Sequence, residues 1–479
     1  MILFERMQQI AAADPSRPAL CDSQQVISYA ELLQKTASLA EKLKAEKISR
    51  LALFLDNGLE WAVIDLACAL ANVVLIPVPV FFSAEQQQWL LESSGADALI
   101  GAARIGWTTT PNFAPALQRR LPLSVAELPA HTAKITYTSG TTGQPKGVCL
   151  SWEHLMRVSV SLAERVAPAQ IQQHLTLLPL STLLENITGL YVPLLSGACS
   201  RIPALAEVGF TGSSQFSYQT LAQAIGLWRP HSLVLVPELL RLLVMLCGMQ
   251  PELAKSLRFI AVGGGKVAEE LVAKSHQLGL PVFEGYGLSE CGSVVTLNAP
   301  GNALPGSAGK PLPHCQISIT EEGEIHVSGA AMLRYLGEPA AGSCIATGDL
   351  GYLDDQGFLH ITGRKKNVQI SAFGRNFSPE WVEAEAQLFP AVSRIVVFGD
   401  GLPSNVALIH PTPGYENSLA EQISQLNSRL PDYARIHHYI LAQLTVENGL
   451  LTANGRPRRA QILSQYQSRI HQLTSGDIV

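Results

Sequence analysis

Charged residues are scarce in this chain. They form 15% of its 479 residues, where a soluble protein usually carries about 25%. The 34 Lys and Arg face 39 Asp and Glu for a formal net charge of −5, and no run of five like charges occurs. Nucleic-acid and membrane-surface roles therefore lack an electrostatic footprint. Long hydrophobic runs are missing too. The most apolar windows, 66–82 and 233–249, are broken by Asn72, Pro77 and Pro79 and by Pro237, Glu238 and Arg241, so neither reads as a transmembrane segment. The first residues carry Glu5 and Arg6 without a basic leader or a small-residue cleavage site, unlike a signal peptide. Eight cysteines stand singly with no CxxC pair, which predicts reduced core thiols in a cytoplasmic protein. The histidines show no metal spacing. His437 and His438 are adjacent and would point to opposite faces of a strand, His154, His174 and His360 read as structural, and no Ser-His-Asp arrangement can be argued.

What is present is an apolar chain, 47% hydrophobic, long enough for two to four domains and a large core. Ser28 and Glu31 spell a capping box that opens a helix through Leu32, Leu39 and Leu43. A strand at 51–55, a helix at 60–71, a strand at 73–80, a helix capped by Ser83 and a strand at 96–100 follow. The rhythm resumes from 135 to 287: a strand, a glycine-rich loop, a helix from Ser151, a strand at 174–180, a helix from Ser181, and strands at 233–236, 259–262 and 282–283. Such alternation predicts largely parallel sheets covered by helices on both faces. Short strands and turns after Asn298 predict a smaller β-rich subdomain, and beyond Gly363 the texture becomes α+β. The expected division is 1–363 for a large amino-terminal domain of layered α/β sheets and 364–479 for a small mobile α+β domain.

The segment Tyr137-Thr-Ser-Gly-Thr-Thr-Gly-Gln-Pro-Lys-Gly147 carries most of the chemistry. Glycines let successive N–H groups converge on one concavity, hydroxyls add donors, and Lys146 adds a positive charge, as a polyphosphate requires. Lys146 is followed by Gly147 and Val148 rather than Ser or Thr, which disfavours a Walker loop. The string resembles the phosphate loop of the adenylate-forming superfamily, which includes acyl-CoA synthetases, luciferases and nonribosomal adenylation domains. The resemblance extends through LPLSTLLEN from Leu178, VGGGK from Val262, EGYGLSE from Glu284, TGD from Thr347, TGRKKN from Thr362, FGRNFSPEWVE from Phe373 and NGLLTANGRPRR from Asn448.

On this frame Thr138, Ser139, Gly140, Thr141, Thr142 and Gly143 would hold phosphates with Lys146. Gly264, Gly265, Tyr286 and Gly287 would enclose adenine. Ser289 and Glu290 sit at the carboxyl edge of a strand, where α/β sheets bind ligands; a hydroxyl beside a carboxylate suits a phosphate oxygen and Mg²⁺, and Glu290 is the expected metal ligand. The resemblance makes Asp349 the acceptor of the ribose hydroxyls with Arg364 beside it, Lys366 the hinge, and Gly374 part of a passage for a pantetheine arm.

The LPLSTLLEN, NGLLT and GRKK segments look most like fatty acyl-CoA synthetases, and the Phe-Asp pair of amino-acid-activating relatives is missing. Thr182 stands where long-chain enzymes usually place His, and Arg456 where most of the superfamily places its catalytic Lys. The resemblance implies a ligase that consumes ATP with Mg²⁺, forms an acyl adenylate from a small carboxylic acid and passes the acyl group to coenzyme A or to the phosphopantetheine of an acyl carrier protein, with Arg456, Glu290, Ser289 and Lys146 carrying the chemistry. Two other readings stay open: an amide ligase using an amine acceptor, and a nucleotide-binding pseudoenzyme motivated by Arg456 and Thr182.

Overall fold

The computed structural model describes residues 2–474 apart from 112, 115, 121–126, 139–144, 212–214, 371–375 and 453–454. The capping box forms as its spacing predicts. Ser28 Oγ accepts from the Glu31 N–H and the Glu31 carboxylate accepts from the Ser28 N–H, opening helix α1 (Tyr29–Ala45). Each such cap is worth about 1 kcal/mol. Strand β1 (Arg50–Phe54), helix α2 (Leu59–Ala71), strand β2 (Val74–Pro77), helix α3 (Ala84–Ser94) and strand β3 (Ala98–Gly101) follow. Strand β4 (Thr132–Thr138) lies parallel beside β2, so that β4, β2, β1 and β3 form the parallel centre of an eight-stranded sheet.

Strand β5 (Lys146–Ser151) was not expected. It runs antiparallel to β4 and occupies the stretch between the glycine-rich loop and helix α4 (Trp152–Val166), whose N-cap is Ser151. The loop therefore joins two paired strands instead of leading straight into a helix. Its apolar Val148, Cys149 and Leu150 are wholly buried, which is the signal the sequence offered.

A nine-stranded sheet holds the second half of the large region. Strand β6 (Gln173–Leu175) is shorter than the expected 174–180, and the chain then forms Leu183–Glu185, a π-helical stretch Asn186–Tyr191 and a short helix Val192–Ser196. Pro179 and Pro193 cut the regular hydrogen-bond ladder on either side. The widened turn brings the polar Glu185 and Asn186 inward, where both are at most 1% exposed. Strands β7 (Ser232–Leu235), β8 (Phe259–Val262) and β9 (Val282–Tyr286) run parallel, so their carboxyl ends lie along one edge. Tyr286 closes β9 rather than following it. Helices α5 (Pro237–Met249) and α6 (Glu269–Gln277) bury Leu240, Leu243 and Val272 against Leu233, Leu235, Ile260 and Val262 on one face of this sheet. Phe259 on the opposite face joins a larger core with Leu155, Val158 and Leu162 of α4.

A four-stranded antiparallel sheet follows, made of β10 (Gln316–Ile319), β11 (Glu324–Ser328), β12 (Cys344–Leu353) and β13 (Leu359–Arg364). Strand β12, which bears Asp349, escaped the sequence reading because Gly348 and Gly351 interrupt its alternation. Cys344 at its start is the one cysteine among the described residues classed as exposed, against the expectation of core thiols; Cys199 is partly buried and the other six are buried.

Beyond residue 364, helix α7 (Pro379–Ala386), strands β14 (Val392–Phe398) and β15 (Asn405–Pro411), helix α8 (Leu419–Arg429), strand β16 (Ile436–Leu441) and helix α9 (Arg459–Thr474) build a three-stranded sheet with apolar layers on both faces. Ile395, Val397, Ala407 and Ile409 pack with α7 and α8, whereas Val396, Phe398, Val406 and Leu408 pack with Ile462 and Ile470 of α9. The period of two along each strand divides the two cores.

Candidate active site

One cavity of about 2350 Å³ runs along the carboxyl edge of β7, β8 and β9 and under residues of the carboxyl-terminal region. Thr138, Lys146, Gly264, Gly265, Tyr286, Gly287, Ser289 and Glu290 line it, as do Asp349, Arg364, Lys366 and Arg456. The expected phosphate-loop residues Ser139, Gly140, Thr141, Thr142 and Gly143, and the expected pantetheine residue Gly374, lie outside the described residues.

Local sequence explains the positions. The turn after β8 needs glycine, because Gly264 has φ +82°. A side chain at Gly287 would place its Cβ 1.8 Å from Ser293 O, so the chain turns tightly just after Tyr286. The Tyr286 hydroxyl donates to Asp349 Oδ2 at 2.7 Å, and burial pushes this phenol above its ordinary range. Asp349, 5% exposed, sits opposite Arg364 in the β12–β13 register and pairs its Oδ1 with Arg364 Nε at 2.9 Å. A carboxylate has about four acceptor positions. Each Asp349 oxygen thus retains acceptor capacity.

Glu290 lies in a short 3₁₀ turn, Ser289–Cys291, and its Oε1 accepts from the Tyr335 hydroxyl at 2.6 Å. Lys146 Nζ pairs with Glu338 at 2.9 Å and lies 4.9 Å from the Tyr335 ring centre. Both members of that pair are half exposed, and such pairs hold little free energy. Lys146 can exchange Glu338 for a phosphate at small cost. Arg456 reaches across from the turn before α9 and donates from Nη2 to Gly264 O at 3.2 Å. Its own N–H donates to Thr452 Oγ1 at 3.0 Å, which fixes the turn that presents it.

Sequence reasoning missed several groups at this cavity. Tyr335 ends a two-residue strand, Arg334–Tyr335, paired with β5, and Glu338 lies in the turn after it; no motif marks either. Glu284, partly buried in β9, accepts from the Gly306 N–H at 3.0 Å, and desolvation raises its carboxyl to about 7, helped by nearby Glu269 and opposed by the Gly306 N–H and Lys266. Arg241 of α5 donates to the Gln387 and Val392 carbonyls at 3.1 Å, and Arg429 of α8 pairs with Glu270 of α6 at 2.8 Å, so two arginines tie the carboxyl-terminal region to the large one. The structure also brings a serine, a histidine and a glutamate together, an arrangement that linear spacing gave no means to argue. His174 of β6 and Ser232 of β7 are register partners, with Nδ1 2.9 Å from Ser232 Oγ, and His174 Nε2 lies 3.1 Å from Glu185 Oε1. Residues 11 and 58 positions from His174 meet through sheet pairing and the π turn, which linear spacing does not reveal.

The donor set also fits Mg²⁺, which favours one or two carboxylates plus substrate phosphate oxygens. Glu290, Thr138 and Ser289 all line the cavity, and their carboxylate and hydroxyl oxygens would supply hard-oxygen donors of this kind.

Residues 7–336 match the AMP-binding enzyme family, and residues 367–476 match the AMP-binding enzyme C-terminal domain. The chain belongs to the AMP-binding enzyme family. It is 29% identical over 423 residues to the 2-succinylbenzoate–CoA ligase of Bacillus subtilis, covering 82% of this chain and 84% of that one. It is 26% identical over 452 residues to the long-chain-fatty-acid–CoA ligase FadD15 of Mycobacterium bovis, covering 76% and 73%. The fold matches the o-succinylbenzoate coenzyme A synthetase of Bacillus subtilis solved in complex with ATP and magnesium ion, with a TM-score of 0.73, 24% identity and coverage of 95% and 98%. As a member of this family the chain is an AMP-forming acid–thiol ligase of the acyl-CoA synthetase kind, using ATP and coenzyme A. Among the described residues no helix is long and apolar enough to cross a membrane.

Proposed function

We propose that this AMP-binding enzyme activates an aliphatic carboxylic acid and joins it to coenzyme A. The observation that carries the reading is the wall of the cavity below the nucleotide edge. There Leu162 and Val166 of α4, Leu184 and Val192 beside the π turn, and Phe259 and Ala261 of β8 line an apolar channel. An alkyl chain laid on such a surface is stabilised by about 25 cal/mol per Å² of area removed from water. An acid such as 2-succinylbenzoate carries a second carboxylate, which a buried site would have to pair with a cation. The titratable group deep in this wall is His174, already facing the Glu185 carboxylate. That neighbour disfavours a second anionic group. The acyl-chain character suits fatty acid metabolism and the buried free thiols suit a cytoplasmic setting. The relatives act on coenzyme A, which leaves a carrier-protein acceptor without support.

In this reading Tyr286, Gly264 and Gly265 hold adenine and Asp349 accepts the ribose hydroxyls. Lys146, Thr138 and the loop 139–143 bind the departing pyrophosphate. Arg456 stabilises charge on the substrate carboxylate and α-phosphate, chiefly by orientation and electrostatics. Mg²⁺ at Glu290 would neutralise phosphate charge. After adenylation the part from residue 364 onward turns about Lys366, and Gly374 then lines the pantetheine passage. A pyrophosphate-release assay over alkanoic acids of graded length, benzoate, anthranilate and 2-succinylbenzoate, with and without coenzyme A, tests the reading. Highest kcat/KM for an alkanoic acid supports it, and preference for an aryl acid overturns it.

A further inference from the structure

The apolar channel ends on polar atoms. Ser232 and Phe259 are the first residues of β7 and β8, whereas Val236 and Gly263, just beyond the last residues of these strands, lie at the nucleotide edge. Four residues of strand at about 3.3 Å each put Ser232 about 13 Å below that edge. Its register partner His174 lines the cavity beside it, and both are 3% exposed. Thr188, another polar residue of the wall, already donates its hydroxyl to Leu184 O at 2.7 Å. Ser232 differs. With Glu185 ionised, His174 Nε2–H donates to it, Nδ1 accepts, and the Ser232 O–H donates to Nδ1. The lone pairs of Ser232 Oγ then have no other partner among the described residues. With the proton on the other nitrogen, His174 donates to Ser232 and the serine O–H is free to donate. Either way the pair can complete one more hydrogen bond, and a bare hydrocarbon cannot supply it.

We infer that Ser232 and His174 form a subsite for a hydroxyl group carried on the distal part of the acyl chain, so that the preferred substrate is a hydroxylated aliphatic acid. A hydroxyl serves both states of the pair, since it donates and accepts. Hydrolysis by this trio is a poorer reading. The serine sits about 13 Å from the edge where the acyl carbonyl is activated. The inference rests on the aliphatic reading above.

The test compares decanoic and dodecanoic acids with their ω-hydroxylated counterparts in the pyrophosphate-release assay, using the wild-type chain and Ser232→Ala. A buried polar group left unpaired costs enough that the wild type should favour one hydroxy acid by roughly tenfold in kcat/KM. Ser232→Ala should erase this preference while the unsubstituted acid keeps its kcat/KM within about twofold. Equal use of both acids by the wild type overturns the subsite and leaves the aliphatic reading standing. Equal loss for both acids in Ser232→Ala overturns it too, assigning the serine to strand packing. If no alkanoic acid is activated but an aryl acid is, the aliphatic reading fails and the subsite with it.

Discussion

Arg456 keeps the positive charge that the superfamily places at this position but delivers it through a planar fork instead of a compact ammonium. With its Nη2 on Gly264 O, the guanidinium is held beside the nucleotide turn. Arg456→Ala is expected to lower acid-dependent pyrophosphate release by on the order of 10²-fold or more, while coenzyme A still reacts with presynthesised acyl adenylate at nearly the wild-type rate. Little change in either step would return Arg456 to a surface basic cluster with Arg458 and Arg459. Glu290→Gln keeps the volume and an acceptor for the Tyr335 hydroxyl but removes the anion, so pyrophosphate release should fall sharply and worsen at limiting Mg²⁺. Activity equal to wild type under those conditions would count against the metal role. Glu284 gives a pH signature. Its folded carboxyl is raised from the ordinary 4.5 to about 7, so the folded state keeps a proton that the unfolded chain has lost between these values. Stability from this residue is therefore lost as pH rises through that window and stays lost above it. Melting curves of Glu284→Gln and wild type should diverge from about pH 4.5 to about pH 7, the variant gaining relative stability. A constant difference across that range would mean that Glu284 titrates normally. At this scale the sequence was most legible where motif residues are contiguous. Tyr286, Glu290 and Asp349 could be named in advance, whereas Tyr335 and Ser232 reach the cavity only through strand pairing.

Between elements, the least expected feature is a buried cation. Lys134 of β4 is almost fully enclosed, donating to Asp65 Oδ1 of α2 at 2.6 Å, to the Tyr191 hydroxyl at 2.8 Å and to Asn186 Oδ1. The strand that leads into the phosphate loop is thereby fastened to the π turn that walls the acyl channel. Burial pushes the Lys134 ammonium below its ordinary range, and Asp65 opposes that shift. Lys134→Met would leave Asp65 uncompensated and is expected to cost about 3–5 kcal/mol in denaturant unfolding, with Asp65→Leu restoring much of it in the double variant. A cost near zero would show that Asp65 finds water instead. The helices that begin with capping residues, α1, α3 and α4, were readable because their signals are local. The π turn, β5 and β12 were not, since prolines, a preceding glycine loop and internal glycines blur the period on which such readings depend.

Across the whole molecule, Arg241 and Arg429 fix the carboxyl-terminal region with Arg456 inside the cavity, an arrangement suited to the first half-reaction. Lys366→Pro is expected to leave pyrophosphate release intact and to block thioester formation, because proline locks the backbone angle that a rotation would change. Equal loss of both half-reactions would move the pivot elsewhere. The separate α/β and α+β textures were legible as composition shifts, but the contacts between them come from arginines that no motif marks. The exposed thiol of Cys344 offers a way to watch this motion. It opens the strand that carries Asp349 and pairs with β13, whose last residue lies two positions before Lys366, while six other thiols are buried and Cys199 is partly so. A fluorophore placed there by maleimide chemistry, with a second dye on an introduced cysteine in α9, would convert the proposed rotation into a change in energy transfer, read one molecule at a time as ATP, acid and coenzyme A are added in turn.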